Sequence, residues 1–159
     1  MCGFARMSDR ELTARLRARS WLYVAVQFLC LGVIALTGPL ISHNGPLCIM
    51  EILGVALGVW SIIAIRPGNF NIVPDVVPGG RLVARGPYRA IRHPMYGALM
   101  LVTFPLVVDS FTLLRLLVWI LLCVDLLRKL IYEEKLLASH YPEYTSYQMA
   151  TKRLIPGIW

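Results

Sequence analysis

The chain has 159 residues, 57% of them hydrophobic and only 16% charged, with a mean hydropathy of +0.64, too apolar for an ordinary soluble domain of this size. Sixteen Lys and Arg against nine Asp and Glu give a formal charge of +7. The basic residues avoid the long apolar runs and gather between them, which is the pattern of membrane topology and excludes a nucleic-acid footprint.

Residues 1–20 read as a basic N-terminal arm carrying Arg6, Arg10, Arg15, Arg17 and Arg19, suited to the membrane surface, with a capping-box-like start at Ser8-Asp9-Arg10-Glu11. Residues 21–41 are an uncharged run of 21 residues, about 30 Å as a helix, the thickness of the hydrocarbon core of a bilayer. The breakers Ser42-His43-Asn44-Gly45-Pro46 precede a second apolar run at 47–65, so residues 21–65 are expected to form a helical hairpin. Between 66 and 93 helical period is lost at Arg66-Pro67-Gly68-Asn69, Pro74, Pro78-Gly79-Gly80 and Gly86-Pro87, while five arginines appear. A loop of this length is no passive connector. Residues 95–108 form a short apolar arm interrupted by Pro105, which returns through Asp109-Ser110 into a fuller span at 111–131. Beyond Tyr132 the chain turns amphipathic and ends in polar helices before Pro156-Gly157.

The expected architecture is an all-α integral membrane fold, one membrane domain over residues 1–159 with about four transmembrane helices, a cytosolic loop and C-terminal amphipathic helices. Fifteen of the sixteen basic residues fall in the N-terminal arm, the central loop or the segment from Arg128 onward, and only Arg115 lies near the other side. The positive-inside rule then predicts a multi-pass protein with both termini in the cytosol. Cys2, Cys30, Cys48 and Cys123 lack metal-ligand or redox spacing and are read as structural or incidental. Of the ionisable residues within spans, Glu51 and Arg115 are expected to pair or to snorkel near the outer helix ends, while Asp125 lies deeper, toward the cytosolic half. Gly54 and Gly58 present a small-xxx-small face suited to packing within the chain. Arg81 and Arg85 are expected to meet anionic lipid, and Asn69 and Phe70 to border any site at the exit of the second helix.

Chemistry concentrates in Arg85-Gly86-Pro87-Tyr88-Arg89-Ala90-Ile91-Arg92-His93-Pro94-Met95-Tyr96-Gly97, followed by Glu133-Glu134 and by Lys152-Arg153-Leu154-Ile155-Pro156. Pro94 suits the first turn of a helix, so that helix's free N–H groups start beside Arg92 and His93 and favour an anion. Counted from the turn at 109 and 110, the fourth span overshoots the membrane by about two turns, or about 10 Å, which carries its acidic pair to the loop's cations. Arginine and imidazole on one wall and two carboxylates on another suit a zwitterion bearing carboxylate, ammonium and hydroxyl groups.

The ordered set Gly86-Pro87-Tyr88-Arg89, Arg92-His93-Pro94 with Tyr96 and Gly97, Glu133-Glu134 with Leu137, Tyr141 with Tyr144, and Lys152-Arg153-Leu154-Ile155-Pro156 resembles the isoprenylcysteine carboxyl methyltransferase family and its phospholipid methyltransferase relatives. The resemblance covers about residues 66–157. It implies S-adenosylmethionine as cofactor in that catalytic half, held at the cytosolic face by Arg92, His93, Tyr96, Gly97, Glu133 and Glu134. It also implies a lipophilic small-molecule or lipid substrate entering from the bilayer, with Arg89, Arg153 and Glu133 as catalytic or substrate-contacting candidates. Gly97 follows Tyr96 directly, one position earlier than the small residue of many relatives. No metal site and no nucleic-acid partner are expected. The alternatives are a membrane reductase with a nicotinamide cofactor in a related pocket, and a non-enzymatic small transporter or assembly protein.

Overall fold

A computed structural model describes residues 9–65 and 82–157, with side chains in the first helix from Arg17 onward. Arg66, Asn69, Phe70, Arg81 and Cys2 lie outside the described residues. Helices α1 (Asp9–Leu36), α2 (Gly45–Ile65), α3 (Pro94–Asp109), α4 (Leu113–His140) and α5 (Tyr144–Ala150) account for the fold, joined ahead of α3 by a short 3-10 turn, Gly86–Arg89. Among the described residues there is no strand, only an isolated parallel bridge between Ile91 and Lys152.

The helices form where apolar runs allow and stop where breakers stand. The basic arm from Asp9 is continuous with the first apolar run, and α1 ends at Leu36, just ahead of Gly38 and Pro39 and earlier than the apolar run suggests. Two segments, Arg17–Leu36 and Gly45–Ile65, are long and apolar enough to cross a membrane. Helix α2 exposes Ile49, Ile52, Leu53, Val59, Trp60 and Ile63, an apolar surface that water would not tolerate and lipid would. Helix α3 has 16 residues with Pro105 inside it, about 24 Å, short of the hydrocarbon thickness. The 28 residues of α4 make about 42 Å, long enough to carry its C-terminal turns beyond that thickness.

Packing does not follow chain order. Helix α2 lies mainly on α3 and α1 mainly on α4, while α1 and α2, expected as a hairpin, make little contact with each other. The α2–α3 seam is close because Gly54 and Gly58 face α3: a Cβ at Gly54 would come within 2.8 Å of Val102 Cγ2, and one at Gly58 within 3.5 Å of Ala98 Cβ. The small-xxx-small face thus serves packing within the chain. Helix α1 buries Tyr23, Val24, Gln27, Cys30 and Ile34, and α4 buries Leu122, Asp125, Leu126, Lys129 and Leu130, each set at helical spacing along one stripe. Cys30, Ile34, Leu106, Val107, Leu122 and Leu126 make the apolar core, where Cys30 behaves as a small hydrophobe. Trp119 Nε1 donates to Thr103 Oγ1 at 3.1 Å and joins α4 to α3.

The two charges at the far end do not pair with each other, contrary to one of the two expectations for them. Glu51 accepts from Ser42 N and from Ser42 Oγ, a local clamp on the α1–α2 connection. Arg115 is fully buried and donates to Ile34 O at 2.9 Å, Thr37 Oγ1 at 3.2 Å and Leu106 O at 2.6 Å. Ile34 and Leu106 lie in the last turns of α1 and α3, where carbonyls are short of helical donors, Ser110 N reaching Leu106 O only at 3.4 Å, and a cation is favoured. A Cβ at Gly38 would collide with the guanidinium, so glycine there makes the room. Arg115→Ala is expected to lose about 3 kcal/mol of stability, because it strands buried carbonyls and leaves a cavity. An unchanged denaturation midpoint in detergent would show that Arg115 is not holding these helix ends together.

Candidate active site

At the opposite end the loop ahead of α3 is shaped backbone first. Arg85 Nε donates to Ala64 O at 2.8 Å and caps the C-terminal turn of α2. Gly86 adopts φ +57°, and a Cβ there would meet Ala64 Cβ at 3.0 Å, so both conformation and close approach require glycine. The turn Gly86–Arg89 buries Pro87 and Tyr88 and leaves Arg89 exposed. The chain then runs alongside the C-terminal tail: Arg92 N donates to Lys152 O at 2.7 Å, His93 N to Arg153 O at 3.0 Å, and Lys152 N to Ala90 O at 3.1 Å. Tyr147 Oη adds a bond to Tyr88 O at 2.7 Å. Arg92 Nη1 donates to Gln148 O at 3.0 Å and to Thr151 O. These contacts hold the tail from α5 onward against the loop.

This scaffold aims the side chains at α4. Arg92 Nε donates to Glu134 Oε1 at 2.7 Å, and Arg153 Nε donates to Glu134 Oε2 at 3.1 Å. His93 occupies the N-cap position of α3 but its side chain makes no cap hydrogen bond; its ring is directed to the acids instead. Nε2 lies 3.5 Å from Glu134 Oε1 and Nδ1 lies 3.8 Å from Glu133 Oε2. The ring stacks on Tyr96 with centroids 5.4 Å apart and planes 2° from parallel. Tyr96 Oη donates to Glu133 Oε2 at 2.6 Å. Gly97 sits beside the tail, with Leu154 O 3.9 Å from where a Cβ would stand.

The acidic pair divides in two. Glu134, with a side chain only 6% exposed, is enclosed by cations from two other segments rather than by neighbours on its own helix. Burial alone would raise its pKa, but the His93, Arg92 and Arg153 donors and the Arg92 charge outweigh that and hold it at about 2. Glu133 is 30% exposed and Arg153 34%, both more open than Arg92 and Glu134 at 10% and 6%. His93 Nε2 is buried and its approach to Glu134 Oε1, at 3.5 Å, is a long contact. Arg89 stands apart on the turn and no described side chain of the cluster reaches it. What the sequence did not reveal is the role of Tyr88, Tyr144, Tyr147, Gln148 and Thr151 in seating the tail, for which Tyr141-Pro142-Glu143-Tyr144 was the only visible trace.

A charged cluster stands at the end of an apolar helical bundle, two of whose helices are long and apolar enough to cross a membrane. Residues 47–139 match the isoprenylcysteine carboxyl methyltransferase (ICMT) family, more than half of the chain, and the chain belongs to that family; it is a membrane methyltransferase. The match takes in Arg92, His93, Tyr96, Gly97, Glu133 and Glu134 and stops short of Arg153. No curated protein matches the chain.

Proposed function

We propose that the protein transfers a methyl group from S-adenosylmethionine to a lipophilic acceptor at the cytosolic membrane face, with four membrane crossings and both termini in the cytosol. The observation that carries this reading is the convergence of Arg92, His93, Tyr96, Glu133, Glu134 and Arg153 in one cluster. The basic residues, concentrated at that end and nearly missing from the other, support the orientation.

The residues fit a zwitterionic cofactor with a sulfonium. Arg153 offers a guanidinium to its carboxylate, Glu133 a carboxylate to its ammonium, and His93 Nε2 a buried polar atom held only by a long contact to Glu134. Gly97 leaves space beside Leu154 O. The cofactor supplies an already activated methyl group. The chain's task is alignment and exclusion of water, which α3, α4 and the tail perform by closing around the cluster. Arg92 and Glu134 hold the geometry without touching the ligand, and Arg89, exposed on its turn, is suited to an anionic part of the acceptor or of lipid.

Purified protein is expected to bind S-adenosylmethionine, and His93→Ala to weaken binding at least about ten-fold while the fold survives. Absent binding by the folded wild type, measured by calorimetry with NADPH as comparison, would overturn the assignment. Gly97→Ala separates space from packing: the protein itself accommodates the methyl group, so stability should stay within about 0.5 kcal/mol. Cofactor affinity should fall if the ligand approaches that backbone, and unchanged affinity would place the ligand elsewhere.

A further inference from the structure

Two polar side chains meet inside the apolar bundle, outside the cluster described above. Lys129 of α4 is 2% exposed and Gln27 of α1 7%, and Lys129 Nζ donates to Gln27 Oε1 at 2.8 Å. Arg128, the preceding residue, is exposed, so a cation at this level of α4 can reach water or lipid headgroups by pointing outward. Lys129 turns its ammonium inward instead, against the cost of burying charge among apolar side chains. Snorkelling therefore does not explain it. The ammonium's other contact leads to the cluster: Nζ stands 5.4 Å from the centroid of the Tyr96 ring, within the range at which a ring face attracts a cation. The same ring stacks on His93 with planes 2° from parallel, and its hydroxyl donates to Glu133 Oε2 at 2.6 Å. Glu133 lies one turn beyond Lys129 on the same face of α4, and its carboxylate and the ammonium attract each other. Gln27, Lys129, Tyr96 and Glu133 thus form one connected line from α1, which precedes the family match at residues 47–139, to the rim of the cluster.

We propose that Lys129 is a positioning residue for the cofactor site: seated by Gln27, its ammonium fixes the Tyr96 ring, and through the Tyr96 hydroxyl it sets the Glu133 carboxylate for the ligand's ammonium. The inference rests on the proposed function and adds to it a residue outside the cluster and a part for α1. A tyrosine held only by its hydroxyl would depend on Glu133, a partly exposed side chain with several rotamers of its own. Contacts of the ring with His93 and Lys129 remove that freedom, so the orienting bond is in place before the ligand arrives. Lys129 touches no ligand in this role; it acts through Tyr96.

The test uses full-length protein in nanodiscs, with S-adenosylmethionine binding by calorimetry and the fluorine spectrum of protein grown on fluorotyrosine, in which the Tyr96 resonance is the one lost in Tyr96→Phe. Replacing both polar partners, Gln27→Leu with Lys129→Met, strands no buried group and should leave the thermal midpoint near that of wild type. Cofactor affinity should nonetheless fall about ten-fold and the Tyr96 resonance should shift. A pair that served packing alone would leave both unchanged. Adding Lys129→Met to Tyr96→Phe should cost no more affinity than Tyr96→Phe alone, because the path through the hydroxyl is already cut. Wild-type affinity in the first double variant, or losses that multiply in the second, would overturn the proposal. Gln27→Leu alone keeps the cation and removes only its seat, and carries the same test if the paired variant does not fold: binding about three-fold weaker is expected, and unchanged binding counts against the inference. A wild type that binds no S-adenosylmethionine sinks the proposed function, and the Tyr96 resonance then decides this inference by itself, which fails if the resonance stays where it was in every variant at Gln27 and Lys129.

Discussion

Glu134→Gln should lose about 3 kcal/mol of stability and at least about ten-fold in cofactor affinity, whereas Glu133→Gln should keep its stability within about 1 kcal/mol and lose affinity alone. The two residues are adjacent in sequence and opposite in situation. Glu134 is shared by Arg92 and Arg153, and the Arg92 guanidinium is also tied to the tail through Gln148 O. Neutralising it removes the carboxylate that two guanidiniums share, a costly way to break a buried ion pair. Glu133 receives one hydrogen bond, from Tyr96, and faces partly outward. Acid should act through the same group. Its pKa is depressed from 4.5 to about 2, so its stabilisation is fully present above about pH 4.5 and is lost as pH falls toward 2. Thermal denaturation of detergent-purified protein should therefore fall over that window in the wild type, and the fall should shrink in Glu134→Gln. A variant as stable as wild type, with the same acid profile, would remove Glu134 from the centre of the cluster.

Much of this cluster was legible because charge is expensive in a membrane. A chain that is 57% hydrophobic places charged groups only where water or a partner meets them, so Arg92, His93, Glu133 and Glu134 stand out at the ends of apolar runs. Pro94 marks the start of α3, and counting 1.5 Å per residue brings the acids to the loop. Tertiary pairing was less legible. Nothing local distinguishes α1 packed on α2 from α1 packed on α4, since all these faces are apolar and only Gly54 and Gly58 advertise a close seam. The Ile91 to Lys152 bridge joins two irregular segments with no strand period, and its signal is nonlocal. Lys129 reads as one more cytosolic cation beside Arg128; helical phase, not charge, turns it inward to Gln27 while Arg128 is left off the buried stripe. Arg115 reads as half of a pair with Glu51, yet helix-end carbonyls hold both its terminal nitrogens, and carbonyls carry no sequence signature.

Truncation after Ser139 is expected to abolish methyl transfer and reduce cofactor binding by more than about a hundred-fold, while the α1 to α4 bundle still inserts and survives extraction in detergent. The deleted segment contributes nothing to the apolar core, which is drawn from α1, α3 and α4. It contributes the acceptors for Arg92 N and His93 N, the carbonyls that hold the Arg92 guanidinium, and Arg153 on Glu134. Without it the Ala90 to His93 stretch ahead of α3 loses its backbone partner, the loop keeps only its contact with α2 among the described residues, and the cluster opens to water, where each remaining ion pair falls to the value of a surface contact. Two single changes divide the effect. Arg153→Ala removes charge but leaves the backbone pairing, and should lower affinity while the tail stays protected from protease. Tyr147→Phe removes the bond to Tyr88 O at 2.7 Å and should loosen the tail with a smaller loss, about 1 kcal/mol of local stability. Limited proteolysis at 140–157, read beside S-adenosylmethionine binding, distinguishes these states, and a truncated chain that binds and methylates normally would reduce the tail to a surface appendage.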